Sequence, residues 1–108
     1  MTSPARGSSL ISGFDAVLSD LDGVVYSGPH AIPGAVESLN QLVAAGVPLG
    51  YITNNASRTP AQVAAHLSEL GAPASEQQVV SSSQVGAALL AAKYPAGSKA
   101  LIIGSAAL

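Results

Sequence analysis

Short apolar runs along this chain alternate with stretches in which apolar residues recur every three or four positions, the pattern of strands separated by amphipathic helices. Ala16-Val17-Leu18-Ser19 is the first run, preceded by the turn-like Ser12-Gly13 and closed by acidic residues. Gly23, Gly28 and Pro29 make the following stretch too rich in turn formers to be regular. Pro33 then stands where it can open a helix at the favoured first position. Val36, Leu39 and Val43 follow at i, i+3 and i+7 with Leu42 adjoining, and Gly46 sits where a left-handed cap belongs. Val47 to Thr53 reads as a second strand. After a polar loop, Asn54 to Arg58, the pair Thr59-Pro60 supplies an N-cap and a first-turn residue. Val63, Leu67 and Leu70 form the stripe of that helix, and Gly71 ends it. A weaker strand is predicted over Gln78 to Ser81 and a third helix over Ser83 to Lys93, stopped by Pro95 and Gly97. Lys99 to Ile103 reads as a fourth short strand.

This alternation predicts an α/β protein built of right-handed βαβ units around a parallel sheet. The strands are apolar without strict alternation, which predicts cover on both faces. Such a fold hosts many chemistries and decides none of them. The 108 residues allow one domain. Ser, Gly and Pro dominate residues 1–13, expected to be a flexible leader before a folded part over 14–108.

Composition removes whole classes of function. Four Lys and Arg, with a net charge of −2, leave too little cation for a nucleic-acid surface. One Phe, three Tyr and no Trp argue against a base-stacking platform. The absence of cysteine excludes disulfides, thiolate metal sites and cysteine nucleophiles. No apolar run approaches the roughly 18 residues of a membrane helix, so no membrane partner is expected. Leu10-Ile11 is too short for a secretory core, and a cytoplasmic location is the expectation.

The chemistry concentrates where two strands end. Asp20-Leu21-Asp22-Gly23 follows the first strand, at the carboxyl edge where ligands bind open α/β sheets. Two carboxylates at i and i+2 on extended chain point the same way. At about 5 Å and an effective dielectric near 20 their repulsion is roughly 3 kcal/mol. A hard divalent cation such as Mg²⁺ removes that penalty, taking carboxylate and carbonyl oxygens together with water. Gly23 lets the chain turn without a side chain in the way. The plain alternative is an Asp/Gly turn that merely ends a strand. Thr53-Asn54-Asn55 ends the second strand, and its hydroxyl, amides and backbone N–H groups suit an anionic oxygen. Arg58 offers a charged donor to the same ligand. Alone, this too is an Asn-rich turn. Together the two corners point to metal-assisted phosphoryl chemistry.

Asp20-Leu21-Asp22-Gly23-Val24, then Ala31-Ile32-Pro33-Gly34-Ala35, then Thr53-Asn54-Asn55 with Ser57-Arg58, resembles the haloacid dehalogenase superfamily. More narrowly it is similar to the capped branch of 4-nitrophenyl phosphatase-like and phosphoglycolate phosphatase-like hydrolases, over about Phe14 to Leu108. The resemblance implies a three-layer Rossmann-like core with a parallel sheet, present only as its N-terminal half. It implies Asp20 as the nucleophile that forms an aspartyl-phosphate and Asp22 as general acid, then base. Mg²⁺ would be held by the Asp20 carboxylate and the Asp22 carbonyl. The phosphoryl group would be bound by Thr53 and Asn54, with Gly23, Asn55 and Arg58 around it.

The same resemblance calls for a later lysine and a Gly-Asp segment, and no Asp follows Asp22. Lys93 and Lys99 lack the family's context, and the substrate-choosing cap and C-terminal core are absent. The chain therefore reads as an N-terminal piece with little turnover of its own, acting by ancestry on a small phosphomonoester. The competing reading is a non-catalytic half-domain that binds phosphate or assembles with a partner. A glycosyl transferase built on the Asp-x-Asp pair is disfavoured for want of length. In the family's sheet the first strand is central, so here its free edge is expected to invite self-association. His30 and His66 read as a solvent-exposed loop residue and a core-boundary residue, and Tyr26 as packing for a hairpin-like flap.

Overall fold

A computed structural model describes residues 10–108. The expected leader thus falls mostly outside the described residues, and its last part, Leu10–Gly13, forms a 3₁₀ turn. Five strands and three helices follow: β1 (Val17–Ser19), β2 (Tyr26–Ser27), β3 (His30–Ala31), α1 (Ala35–Ala44), β4 (Leu49–Thr53), α2 (Pro60–Glu69), β5 (Val79–Ser81) and α3 (Ser82–Lys93). The parallel sheet has the order β1-β4-β5, with Val17 opposite Leu49 and Tyr51 opposite Val79. β2 and β3 pair separately as an antiparallel hairpin.

Local chemistry sets the element ends. Both α1 and α2 close with the same two bonds: Gly46 N–H to Val43 O and Val47 N–H to Leu42 O, then Gly71 N–H to Ser68 O and Ala72 N–H to Leu67 O. This is the double closure of a helix that leaves through a left-handed residue, and Gly46 and Gly71 have φ of 77° and 91°. Val47 is therefore used to seal α1, and β4 starts at Leu49 rather than Val47. Pro33 does not open α1. Ala35 N–H bonds Ile32 O with Gly34 at φ 84°, ψ −15°, so Pro33-Gly34 are the central pair of a type II-like turn and the helix begins at Ala35, two residues after Pro33. Thr59 caps α2 through a reciprocal box with Gln62, and Pro60 is its first residue, as the sequence predicts. Ser81 is both the last residue of β5 and the N-cap of α3, boxed with Gln84, so α3 starts at Ser82.

The core lies on one side of the sheet. Leu49, Tyr51 and Val79 bury against Leu39 of α1, Val63, Ala64 and Leu67 of α2, and Leu21, Val25 and Tyr26, with Val17, Val36 and Leu42 at the margin. Val43 points outward, and Leu42 takes its expected place. The other side is bare: Leu18 is 71% exposed, and Ile52 and Val80 are exposed too. The apolar strands predict cover on both faces; they instead alternate in burial, because among the described residues α1 and α2 bury side chains against one face, while α3 meets the sheet at β5 without burying any residue of its own. The predicted strand over Lys99 to Ile103 does not form. β-propensity is realised only against a neighbour, and Leu101 and Ile103 find none, remaining 90% and 86% exposed. No residue after Ser81 is buried. The radius of gyration is 17.0 Å, against about 13 Å for a compact chain of this size.

Candidate active site

Parallel pairing sends the ends of β1, β4 and β5 to one edge, and the residues that follow them meet there. Asp20, Ile52, Thr53, Asn54, Val80, Ser81, Ser82 and Val85 line a single open depression. Asp20 and Thr53, chosen from two separate motifs, thus share one rim. The Asp20 carboxylate is exposed and fixed by one bond, accepting from Leu21 N–H at 2.8 Å.

Thr53 is nearly buried, and its Oγ1 accepts from Asn55 N–H at 3.1 Å. One accepted bond leaves the hydroxyl its proton and a second lone pair, so Thr53 can still donate to an anionic oxygen. Asn55 shapes the corner further: its Oδ1 accepts from Ser57 N–H at 2.9 Å and from the Ser57 hydroxyl. The Asn54 carbonyl accepts from the Ser82 hydroxyl at 3.2 Å, tying this loop to α3. Asp22, Gly23, Asn55 and Arg58 stand outside the lining of the depression.

Asp22 and Gly23 belong to a tight loop. Leu21 O accepts from Val24 and Val25 N–H at 3.0 and 2.8 Å, and Gly23, at φ 80°, donates its N–H to Tyr26 O at 2.8 Å. Tyr26 N–H also donates to Leu21 O at 3.3 Å, so the backbone on either side of Asp22 is tied to Tyr26. The Tyr26 phenol registers every charge of the site. Burial first, then the Asp22 carboxylate, push its pKa up; the Arg58 guanidinium opposes them, and Asp20 adds least. Two acids and one cation thus act on a single hydroxyl. Among the described residues no group of three or more His, Cys, Asp or Glu is placed to hold a metal, so the acidic donors here are the two aspartates.

The sequence reading gave three residues of this region no part in the site: Ser81, Ser82 and His66, the last read as a core-boundary residue, which its half-buried position bears out. Ser81 and Ser82 were legible by the rule that picked the other corners, since they follow a strand of the same parallel sheet. His66 carried no local signal, because its partners lie far away in sequence.

The model of haloacid dehalogenase-like hydrolases matches residues 17–108. The chain belongs to the haloacid dehalogenase-like hydrolase family. It is 44% identical over 100 residues to the D-glycerol 3-phosphate phosphatase of Mycobacterium tuberculosis, covering 93% of this chain and 28% of that protein. It is 36% identical over 92 residues to an acid sugar phosphatase of Staphylococcus aureus, covering 85% and 36%. Among solved structures, the glycerol phosphate phosphatase of Mycobacterium tuberculosis in complex with magnesium superposes with a TM-score of 0.83 at 43% identity, over 92% of this chain and 29% of that one. A p-nitrophenyl phosphatase from Bacillus subtilis, itself so assigned only putatively, gives 0.71 at 38% identity, over 85% and 35%. The chain therefore spans about a third of the length of these relatives, and what it matches is the phosphatase branch expected from its motifs.

Proposed function

We propose that these residues carry part of the catalytic site of a Mg²⁺-dependent phosphomonoester hydrolase. The observation that carries this is the meeting of Asp20 and Thr53 on one rim at the carboxyl edge of the sheet. The donor set fits a hard cation: two exposed aspartates in a four-residue loop, a backbone carbonyl between the sheet and the turn, and open access for water. Asp20 and the Asp22 carbonyl would hold Mg²⁺, whose charge would offset repulsion between Asp20 and an incoming phosphate dianion.

The Asp20 carboxylate would attack phosphorus while the ester oxygen departs, taking a proton from Asp22; Asp22 would then take a proton from the water that cleaves the aspartyl-phosphate. The Thr53 hydroxyl proton and a donor from Asn54 would bind the phosphoryl oxygens, and Arg58 would add charge. Gly23 N–H and Asn55 N–H are already committed to Tyr26 O and Thr53 Oγ1, so these two residues act by shaping the loops. The relatives named for glycerol 3-phosphate and acid sugar phosphates support a small polar phosphate ester as the substrate class.

Lys93 and Lys99 lie at the end of α3 and beyond it, outside the depression, so the 108 residues by themselves should hydrolyse 4-nitrophenyl phosphate little or not at all. The test is a Mg²⁺ and inorganic phosphate titration of the chain followed by amide NMR. The expected response falls on Asp20 to Gly23 and Thr53 to Asn55. Asp20→Asn should weaken the Mg²⁺ response by at least about tenfold, since even the outer partners of a ligand set matter that much. A response centred on Lys93 to Lys99, or an unchanged response in Asp20→Asn, would overturn the site. Brisk Mg²⁺-dependent turnover by the 108 residues would overturn the proposed low activity.

A further inference from the structure

His66 of α2 reaches back to the β2–β3 hairpin at two points. Its Nε2 lies 3.0 Å from the Gly28 carbonyl oxygen at the hairpin turn. A carbonyl only accepts, so this nitrogen carries the proton. Its ring stands edge-on to Tyr26, with centroids 4.6 Å apart and planes at 70°, a favourable aromatic geometry. Tyr26 in turn holds the acidic loop: its carbonyl accepts Gly23 N–H at 2.8 Å, and its own N–H donates to Leu21 O at 3.3 Å. The hairpin has two residues in each strand, and so short a ribbon is marginal unless something fastens it. Meanwhile α2 starts directly after the Asn54–Arg58 loop, capped by Thr59. One helix therefore follows the Thr53 corner and holds the element that shapes the Asp20–Gly23 loop, through the core its Val63, Ala64 and Leu67 share with Leu21, Val25 and Tyr26 and through the reach of His66 to the hairpin turn.

We infer that His66 is a positioning residue that keeps the acidic loop in register with the Thr53–Asn54 corner by fastening the β2–β3 hairpin to α2. The inference deepens the proposed function and takes its functional meaning from that reading of the acidic loop. Nothing in it requires His66 to touch substrate or metal. The shared influence of Asp20, Asp22 and Arg58 on the Tyr26 phenol agrees with Tyr26 standing where the two halves meet.

Amide hydrogen exchange on the 108-residue chain tests it, with His66→Ala and His66→Gln beside the native protein. His66→Ala should speed exchange at Gly23 and at Ile32, whose N–H bonds Val25 O across the hairpin, by about fivefold, the worth of one ordinary hydrogen bond. Exchange at Val63 within α2 should stay as it was. His66→Gln keeps a donor at similar reach and should restore much of the protection. Unchanged exchange at Gly23 and Ile32 in His66→Ala, equal acceleration throughout the chain, or a glutamine variant as fast as the alanine one would each overturn the inference. A Mg²⁺ titration of the same samples separates it from the reading beneath it. An exchange effect without any Mg²⁺ response in the native chain upholds the fastening and sinks the ion site. A native Mg²⁺ response together with unchanged exchange at Gly23 and Ile32 in His66→Ala does the reverse.

Discussion

At the scale of single residues, the two buried tyrosines give the clearest handle on pH. Burial holds the Tyr51 phenol above its ordinary range, and burial together with Asp22 does the same for Tyr26. A phenol with a raised folded pKa binds its proton more tightly when folded than when unfolded. Its contribution to stability is therefore constant below about pH 10, the unfolded value, and is lost as pH rises through the folded value. Urea midpoints measured from about pH 8 upward should stay level to about pH 10 and then fall; replacing Tyr26 by Phe should remove part of that fall. A midpoint rising above pH 10 would contradict the assignment. Asp20, Asp22, Thr53 and Asn54 stood out as candidate chemistry because they lie at or just past the carboxyl ends of β1 and β4. The engagement of Gly23 and Asn55 within their own loops was not, since a backbone N–H carries no mark in the sequence of where it will bond.

At the scale of elements, the helix ends are written in the chain. Thr59/Gln62 and Ser81/Gln84 are two capping boxes with one spacing, and only the first was partly read, through Thr59 and Pro60. Thr59→Ala should cost about 1 kcal/mol, visible in a thermal or urea midpoint, with the loop before α2 loosening as well. A change too small to detect would mean that Pro60 alone starts the helix. Glycine at 46 and 71 marked the closures correctly. Pro33 misled because Pro-Gly favours a type II turn, whose glycine needs the positive φ that Gly34 adopts. The Lys99–Ile103 run misled for a different reason: its composition is that of a strand, but pairing is decided by distant parts of the chain.

At the scale of the whole molecule, parallel order followed from alternating strands and helices, whereas the one-sided core did not. Whether a second layer covers a sheet depends on how much chain packs against it, not on the strands themselves. β1 is the edge of the sheet, and Leu18 lies exposed beside Ile52 and Val80 on the bare side. An unpaired edge next to apolar surface favours pairing with another copy. Sedimentation at rising concentration should show species larger than a monomer, and Leu18→Lys should shift them toward the monomer; a concentration-independent monomer would refute this. One further consequence lies in the joint at Ser81, where strand and helix share a residue without a linker. There is no slack in that joint. One residue inserted after Ser81 would rotate all of α3 by about 100° about its axis, swinging Val85 away from the depression and detaching Ser82 from the Asn54 carbonyl. The angular phase of that helix is thus set by a spacer of zero length.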